Sequence, residues 1–256
     1  LSKAYFKEPK MTHEEWATKK VYFPSQDISP ILGYFKIKFS PQYKLLFKLM
    51  DRPDVHTLFA KWASQSGKSL FEMLIIGYRL DNEPANVLYM QPIKDDIPKV
   101  LRLKINPVLK CIKDLWQKFE DYITTEGIRS KDAIKQLAGG SLVVSGSSVK
   151  ERKSLTVPLL VMDEIGEFDK GAVKEASERL KAFSKFFPKK IGVSTIVHPK
   201  DEICTNFENC EAIMEWRYKC PNCKDSFYPS RETFKFMTKK EFADLNNIPE
   251  NEVEKS

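Results

Sequence analysis

The chain has 256 residues, and its 42 lysines and arginines against 35 aspartates and glutamates give a formal net charge of +7. A composition of 42% hydrophobic and 30% charged residues is that of a folded globular protein and excludes a disordered one. No apolar run reaches the roughly 18 residues that a membrane-spanning helix needs. The charge permits a polyanionic partner such as nucleic acid.

The first part of the chain predicts an arm, residues 1–35, because it contains Pro9, Pro24 and Pro30 and little periodicity. A helix is predicted over Ser40–Met50, with a serine as N-cap and a proline in its first turn. A strand near Val55–Ala60, a loop and a helix over Lys68–Leu80 follow.

Apolar runs then alternate with helical patterns. We predict a strand in NVLYMQP, helices interrupted by Pro98 and Pro107, a hairpin turning at Gly139–Gly140, a strand in VPLLVMDE, a helix in GAVKEASERLKAF and a strand in KKIGVSTIV. Strands that alternate with helices predict an α/β fold, with a mostly parallel sheet flanked by helices.

The stretch KWASQSGKS ends like a phosphate-binding loop, whose pattern is Gly, four residues, then Gly-Lys-Ser. In such a loop, backbone N–H groups surround the anion, the lysine (Lys68) holds phosphates, and the hydroxyl (Ser69) ligates Mg²⁺. Gly67 fits the pattern, but Trp62 stands where the first glycine belongs. Taken alone, a helix that merely begins with Gly-Lys-Ser explains the stretch about as well.

The run PLLVMDE lies about 95 residues further on and ends in Asp163 and Glu164. An ATPase needs one carboxylate for the magnesium shell and another to polarise the attacking water. Solvated acids at a strand end are an ordinary alternative, but the loop followed by this strand favours a nucleotide site at one sheet edge. Ser194 and Thr195, which end the next apolar run, could couple loss of the terminal phosphate to movement.

These ordered segments together resemble the ATPase domain of tailed-bacteriophage terminase large subunits, most closely the lambda-like branch. The resemblance covers roughly residues 30–225 and includes FSPQYKLLFKLM before the loop, LAGGSLVVSGSS before the acidic strand, VSTIVHPKDEI and WRYKCPNC. Ile196 stands where the branch usually has a proline. The resemblance implies a P-loop NTPase fold of the ASCE or RecA-like kind.

The resemblance also implies roles for residues around the loop. A basic residue near its start, here Lys61, would be a second phosphate contact, and Gln65 and Ser66 would offer backbone N–H groups. Gln42 and Tyr43 would contact adenine. A solvated lysine and a core aromatic are equally good explanations of Lys61 and Tyr43.

Rings of such subunits imply an arginine that completes a neighbour's site, for which Arg152 and Arg102 are candidates. A basic cluster of Lys150, Arg152 and Lys153 could instead contact DNA phosphates, with an affinity that falls with salt.

Five cysteines in a long chain favour reduced thiols. Cys220 and Cys223 form half of a zinc knuckle, which Cys204 and Cys210 could complete, although the spacing is unusual and an empty half-site is the better expectation. Cys111 is expected to be a buried free thiol.

The expected organisation is an arm (1–35), an ATPase domain (36–215), and the Cys-Pro-Asn-Cys segment with a C-terminal helix and tail (216–256), without a nuclease domain. The expected function is a Mg²⁺-dependent ATPase motor that moves double-stranded DNA into a procapsid in the host cytoplasm. Its expected partners are DNA, the portal, the small terminase subunit and further copies in a ring, with a monomer when alone. A helicase-like DNA-dependent ATPase and a non-catalytic DNA-binding or assembly module are the alternatives.

Overall fold

The computed structural model describes residues 11–92, 97–126, 133–147, 155–220, 222–228 and 244. The chain divides into two compact units, Leu1–Ile213 and Met214–Ser256. In the described residues, no helix is long and apolar enough to cross a membrane.

The helices, including one short π-helical turn, and the strands follow each other along the chain. The helices are α1 (His13–Lys20), α2 (Gln42–Asp51), α3 (Lys68–Asp81), α4 (Ile97–Val100), α5 (Asn106–Lys110), α6 (Lys113–Glu126), α7 (Ala172–Ser177) and α8 (Glu202–Glu208), with a π-helical turn at Leu101–Ile105. The strands are β1 (Tyr22–Phe23), β2 (Gly33–Tyr34), β3 (Thr57–Lys61), β4 (Val87–Gln91), β5 (Ile134–Leu137), β6 (Gly140–Gly146), β7 (Leu159–Asp163), β8 (Lys189–Ser194), β9 (Tyr218–Lys219) and β10 (Ser226–Phe227). Among the described residues, three 3₁₀ segments lie at Ile37–Phe39, Ile165–Glu167 and Glu178–Phe186.

The first unit is built on a six-stranded sheet in the order β3-β8-β7-β4-β6-β5. All neighbouring pairs are parallel except β5 and β6, which form an antiparallel hairpin at one end of the sheet. The fold class predicted from the sequence, an α/β fold with a mostly parallel sheet flanked by helices, is therefore confirmed. Strands β4 and β7 are buried along their whole length, which explains why both are continuous apolar runs.

Two hydrophobic clusters cover the two faces of the sheet. Because successive side chains of a strand point to opposite faces, β7 contributes to both clusters. Leu159 and Val161 pack in the larger cluster with α1, α2 and α3, whereas Leu160 and Met162 pack in the smaller one with α7 and α8. In the part of the chain that the structure describes, the sheet is thus enclosed between two layers of helices.

The described part of the region expected to be an arm, residues 11–35, contains the helix α1 and the short strands β1 and β2. Thr12 and Glu15 form a reciprocal capping box that begins α1. The side chain of Trp16 is completely buried, and its indole N–H donates to Asp81 Oδ2 at 2.8 Å. This buried tryptophan fixes α1 against α3.

The helical stretch before the hairpin is interrupted before Pro107, as predicted, whereas Pro98 lies in the first turn of α4. Pro107 cannot donate a backbone hydrogen bond, and its ring clashes with the carbonyl four residues earlier in a regular helix. The chain accommodates this with the π-helical turn, in which the Asn106 N–H donates to Leu101 O. The turn widens the helix locally.

The hairpin of β5 and β6 turns at Ala138 and Gly139, one residue earlier than predicted, because Leu137 pairs with Gly140. Gly139 has φ +89°, and Gly140 lies against the backbone of Ala85. The two adjacent glycines therefore serve different purposes, a turn and a close backbone approach.

The second unit contains the short antiparallel hairpin of β9 and β10, in which Tyr218 pairs with Phe227. The C-terminal helix predicted after Cys223 lies outside the described residues apart from Asp244, which is helical.

Candidate nucleotide site

Three strands of the sheet bring the predicted site residues to one edge. Strands β3, β8 and β7 are parallel neighbours, and their carboxyl ends carry Lys61, Ser194 and Asp163. The Trp62 N–H extends the ladder by donating to Ser194 O at 2.9 Å. The loop of residues 62–67 and the two acids therefore lie beside each other, as expected for ligand sites in open α/β sheets.

The loop has a left-handed backbone conformation at two positions. Gly67 is the residue before α3 and has φ +94°, and Gln65 has φ +55°. Trp62 is not among the described residues with positive φ. The second glycine of the motif is thus required by the backbone, whereas the position of the missing first glycine accepts a tryptophan.

Side chains around the loop hold its carbonyl groups on the protein side. Gln42 Nε2 and Trp62 Nε1 donate to Ser66 O at 3.3 and 3.2 Å, and the Tyr43 hydroxyl donates to Gly67 O. Because these carbonyls are bonded inward, the backbone N–H groups at the start of α3 stay available for an anion.

The lysine and the two acids of the motifs are in contact. Lys68 is buried, donates to Glu164 and lies 3.8 Å from Asp163 Oδ1. Glu164 has φ +51°, a left-handed conformation that is uncommon for a residue other than glycine. Such a conformation at a strand end commonly marks a functional position.

Ser194 and Thr195 contact the same glutamate. Their hydroxyl oxygens each lie 3.4 Å from Glu164 Oε2. The Gly166 N–H, just after Glu164, donates to Ser194 Oγ at 3.0 Å. The end of β8 is therefore in direct contact with Glu164 and the segment that follows it.

Three further residues, Lys104, Tyr89 and Glu72, lie with Lys68, Asp163 and Glu164 in one polar cluster. None of the three was predicted from the sequence. Lys104 and Tyr89 both donate to Asp163 Oδ2, the tyrosine at 2.8 Å. Glu72 lies one helical turn after Lys68, is completely buried, and neither of its carboxylate oxygens has a hydrogen-bond partner within the described residues. An acid inside the apolar run LFEMLII and a tyrosine inside the apolar run of β4 were the signals that could have identified two of them.

The cluster changes the proton affinities of its members. Burial, and next the charge of Asp163, raise the pKa of Glu72 well above its ordinary value, and burial does the same to the pKa of Tyr89. Burial alone would lower the pKa of Lys104, but the charges of Asp163 and Glu72 outweigh it, and this pKa is raised. Lys104 is therefore an ammonium ion and Tyr89 a neutral donor.

The residues fit a magnesium ion with its water shell. Asp163 is almost completely buried, and its Oδ1 accepts no hydrogen bond from the part of the chain that the structure describes. A carboxylate with one unsatisfied oxygen at this edge suits a Mg²⁺-bound water, because Mg²⁺ usually keeps several waters and binds few protein oxygens. Ser69 lies in the first turn of α3 and is partly exposed, so its hydroxyl is the second expected ligand.

Other predicted residues are placed differently. Lys61 lies over the Phe207 ring, 4.6 Å from its centre, and 3.8 Å from Glu208. Tyr43 is fully buried against Phe35 and other aromatic rings, the surroundings that the core alternative expects. It lies in the first turn of α2, whose buried aromatic side chains contact Phe71 of α3.

Arg102 is exposed in the π-helical turn, whereas Arg152, Lys150 and Lys153 lie outside the described residues. Cys111 is buried, and burial raises the pKa of its thiol to about 11.

The described residues, which include all five cysteines, contain no group of three or more histidine, cysteine or acidic side chains placed to hold a metal ion. Of the four cysteines considered for a zinc site, Cys204 and Cys210 belong to the first unit, and Cys220 and Cys223 belong to the second. Hydrogen bonds from the backbone N–H groups of Cys223 and Asn222 lower the pKa of Cys220.

The sequence matches the protein family described as "Phage terminase large subunit gpA, ATPase domain" over residues 29–251. The large terminase of bacteriophage HK97 is similar in structure, with a TM-score of 0.58 and 13% identity over 77% of this chain and 40% of that one. A large terminase from a thermophilic bacteriophage, solved in complex with ADP, aligns with a TM-score of 0.39 and 13% identity over 62% of this chain and 37% of that one. No curated protein matches the sequence. At these identities the likeness concerns the fold, and this chain covers no more than 40% of the length of either terminase.

Proposed function

The chain belongs to the family of phage terminase large subunit ATPase domains, and on this premise we propose that it hydrolyses ATP with Mg²⁺ to move double-stranded DNA into a viral procapsid. The observation that supports this most is the contact of Lys68, from the loop, with Asp163 and Glu164, from the end of β7. Two segments about 95 residues apart in the sequence meet with the chemistry that phosphoryl transfer requires.

Each residue has a defined task in the proposal. The N–H groups of the loop and Lys68 bind the phosphates, with Gln65, Ser66 and Gly67 lining the anion site. Ser69 and Asp163 hold Mg²⁺, which would neutralise charge on the terminal phosphate. Glu164 polarises the attacking water.

The resting contact of Lys68 with Glu164 is part of this proposal. A lysine that binds the general base keeps it from activating water. Nucleotide phosphates offer Lys68 a stronger partner, and its transfer to them would release Glu164. Ser194 and Thr195, 3.4 Å from that carboxylate, would then report the change to β8.

Gln42 and Lys61 complete the proposed binding surface. Gln42 is proposed to contact the nucleotide by way of the loop, since its amide donates to Ser66 O. Lys61 would have to leave Glu208 and Phe207 to contact a phosphate, so it is a candidate for the loaded state only.

We propose further that DNA, the portal, the small terminase subunit and other copies of the chain in a ring are its partners, on the procapsid in the host cytoplasm. Arg102 or Arg152 would complete a neighbour's site in the ring. The chain alone would then be a monomer with weak ATPase activity. Duplex DNA should raise that activity without strand separation, and separated strands in a displacement assay would indicate a helicase instead.

The test of the proposal is ATP binding and hydrolysis by the wild type and Glu164→Gln, with Glu167→Gln as the control, because Glu167 is exposed on the same segment. We expect Glu164→Gln to bind ATP normally and to hydrolyse it about 100-fold more slowly or worse, since a general base contributes about 10²–10⁴ in rate. The control should keep wild-type turnover. If the wild type does not bind ATP even at millimolar concentrations, the proposal fails and a non-catalytic assembly module replaces it.

A further inference from the structure

Lys104 lies outside every motif but contacts the centre of the site. It belongs to the π-helical turn that precedes Pro107, and its ammonium group donates to Asp163 Oδ2. Its side chain remains 28% exposed, so it reaches the buried carboxylate from the rim of the site. π-Helical turns occur disproportionately at functional positions, and this one directs a lysine to the proposed magnesium ligand.

The two lysines are paired with the two acids of the motif before any ligand arrives. Lys68 and Lys104 carry two positive charges, and they contact Glu164 and Asp163, which carry two negative charges. A bare divalent cation would enter next to two ammonium groups, and like charges at this range repel strongly in a partly buried site. The contact of Lys104 with Asp163 therefore opposes binding of a metal ion without nucleotide.

The contacts of Asp163 show where Lys104 lies relative to the loop. Lys68, from the loop, lies 3.8 Å from Asp163 Oδ1, whereas Lys104 donates to Asp163 Oδ2. The two lysines therefore approach the same carboxylate at different oxygens. A nucleotide held by the loop would extend its phosphates toward Asp163, and its terminal phosphate would be the one that Lys104 reaches.

We propose that Lys104 is a phosphate-responsive lysine that occupies Asp163 in the nucleotide-free protein and transfers to the terminal phosphate when Mg²⁺ and ATP bind. This inference rests on the proposed function. It means that metal and ATP enter together, because the phosphates supply the negative charge that draws Lys104 away from Asp163. ADP lacks the terminal phosphate and leaves Lys104 in place.

The test uses Lys104→Met, Lys104→Arg and the control Lys99→Met, an exposed lysine on α4. Two quantities are measured: Mn²⁺ binding without nucleotide, from the loss of the free-ion EPR signal, and the Kd values of fluorescent ATP and ADP analogues with Mg²⁺. Circular dichroism and thermal melting establish that each variant is folded. If Lys104→Met is not folded, Lys104→Gln takes its place, because a glutamine can still bond to Asp163 without a charge.

We expect Lys104→Met to bind Mn²⁺ at least about 10-fold more tightly, because a competing cation is gone. The same variant should bind ATP about 10-fold more weakly and ADP within about 2-fold of the wild type, as for loss of one charged hydrogen bond. Lys104→Arg should keep most of the preference for ATP, and Lys99→Met should match the wild type.

Equal loss of ATP and ADP binding in Lys104→Met would mean that the residue only supports the structure, and unchanged values would mean that it has no role. Either result overturns the inference while leaving the proposed function intact. A wild type that binds neither nucleotide overturns the proposed function, and the inference with it.

Discussion

Replacement of Glu72 by methionine should stabilise the nucleotide-free protein. Glu72 is completely buried near the Asp163 carboxylate, whose interaction favours the protonated form of Glu72, and neither oxygen of Glu72 has a partner in hydrogen-bond geometry within the described residues. A buried polar group without a partner costs about 1–3 kcal/mol, and methionine fills a similar volume without polar oxygens. In a domain of this size, about 2 kcal/mol corresponds to a rise in Tm of roughly 4–8 °C.

The gain in stability of Glu72→Met over the wild type should increase with pH. Burial raises the pKa of Glu72 in the folded protein above its ordinary value of 4.5. Below that value the carboxyl is protonated in both states and its titration costs nothing. As the pH rises, the unfolded chain loses the proton first, so the wild type loses up to about 1.4 kcal/mol per pH unit until the folded pKa is reached. The advantage of Glu72→Met should therefore be larger at pH 8 than at pH 5.

The assay is urea unfolding of both proteins at pH 5 and pH 8 in EDTA, followed by circular dichroism. Glu178→Met, which replaces an exposed glutamate, should change the free energy of unfolding by less than about 0.5 kcal/mol. If Glu72→Met is less stable than the wild type at pH 8, or if its gain is the same at both pH values, the carboxyl has a stabilising partner and this reasoning is refuted.

Two other substitutions test the loop and the hairpin. Trp62→Gly, which restores the glycine of the motif, should destabilise the protein by about 2–4 kcal/mol, because a partly buried aromatic side chain is lost from the core. It should also fail to improve ATP affinity, and tighter ATP binding in a titration would contradict our account of the loop. Gly140→Ala should cost about 2–3 kcal/mol in urea unfolding, because its Cβ would lie 2.6 Å from Ala85 O and 2.7 Å from Ala85 N. Gly171→Ala, where a Cβ meets no atom but φ is +85°, is the control and should cost about 1 kcal/mol. Equal losses in the two variants would mean that the contact with Ala85 is unimportant.

The sheet could be predicted from the sequence because its central strands are buried on both faces. A strand such as Leu159–Asp163 must be apolar throughout, and acids can follow only where it leaves the core. Because of that constraint, the same sequence pattern indicates both the strand and the acids at its end. The order of the strands in the sheet could not be predicted from the sequence, because it depends on packing between segments that are far apart in the chain.

The N-terminal helix was missed for a different reason. Its signal, a threonine followed three residues later by glutamate, was present at Thr12 and Glu15, but the eight-residue helix is too short to show a clear apolar face. What holds it is Trp16, which packs beside Gly77 of α3. A Cβ at Gly77 would lie 2.9 Å from that indole ring. Such a pairing of a large and a small residue appears only once both helices are placed.

The contact of Lys104 with Asp163 could not be predicted from the sequence either. Lysines are abundant in this chain, and lysines are mostly solvated in proteins, so no local pattern separates one that contacts Asp163 from the others. Only the interrupted helix before Pro107 marked the segment as irregular. The contact itself depends on where β4 lies in the sheet, which is long-range information.

Packing also explains why the loop can lack the first glycine of the motif. A phosphate site needs N–H groups directed to the anion, and a glycine at the first position is one way to let the backbone turn. Here Trp62 stays in an ordinary conformation, and its indole N–H binds Ser66 O while Tyr43 binds Gly67 O. The aromatic cluster therefore holds the loop by its carbonyls, and the conformational freedom of a glycine is needed only at Gly67. The departure from the motif is compensated by side chains that lie outside the motif, so the motif alone could not show that the loop is intact.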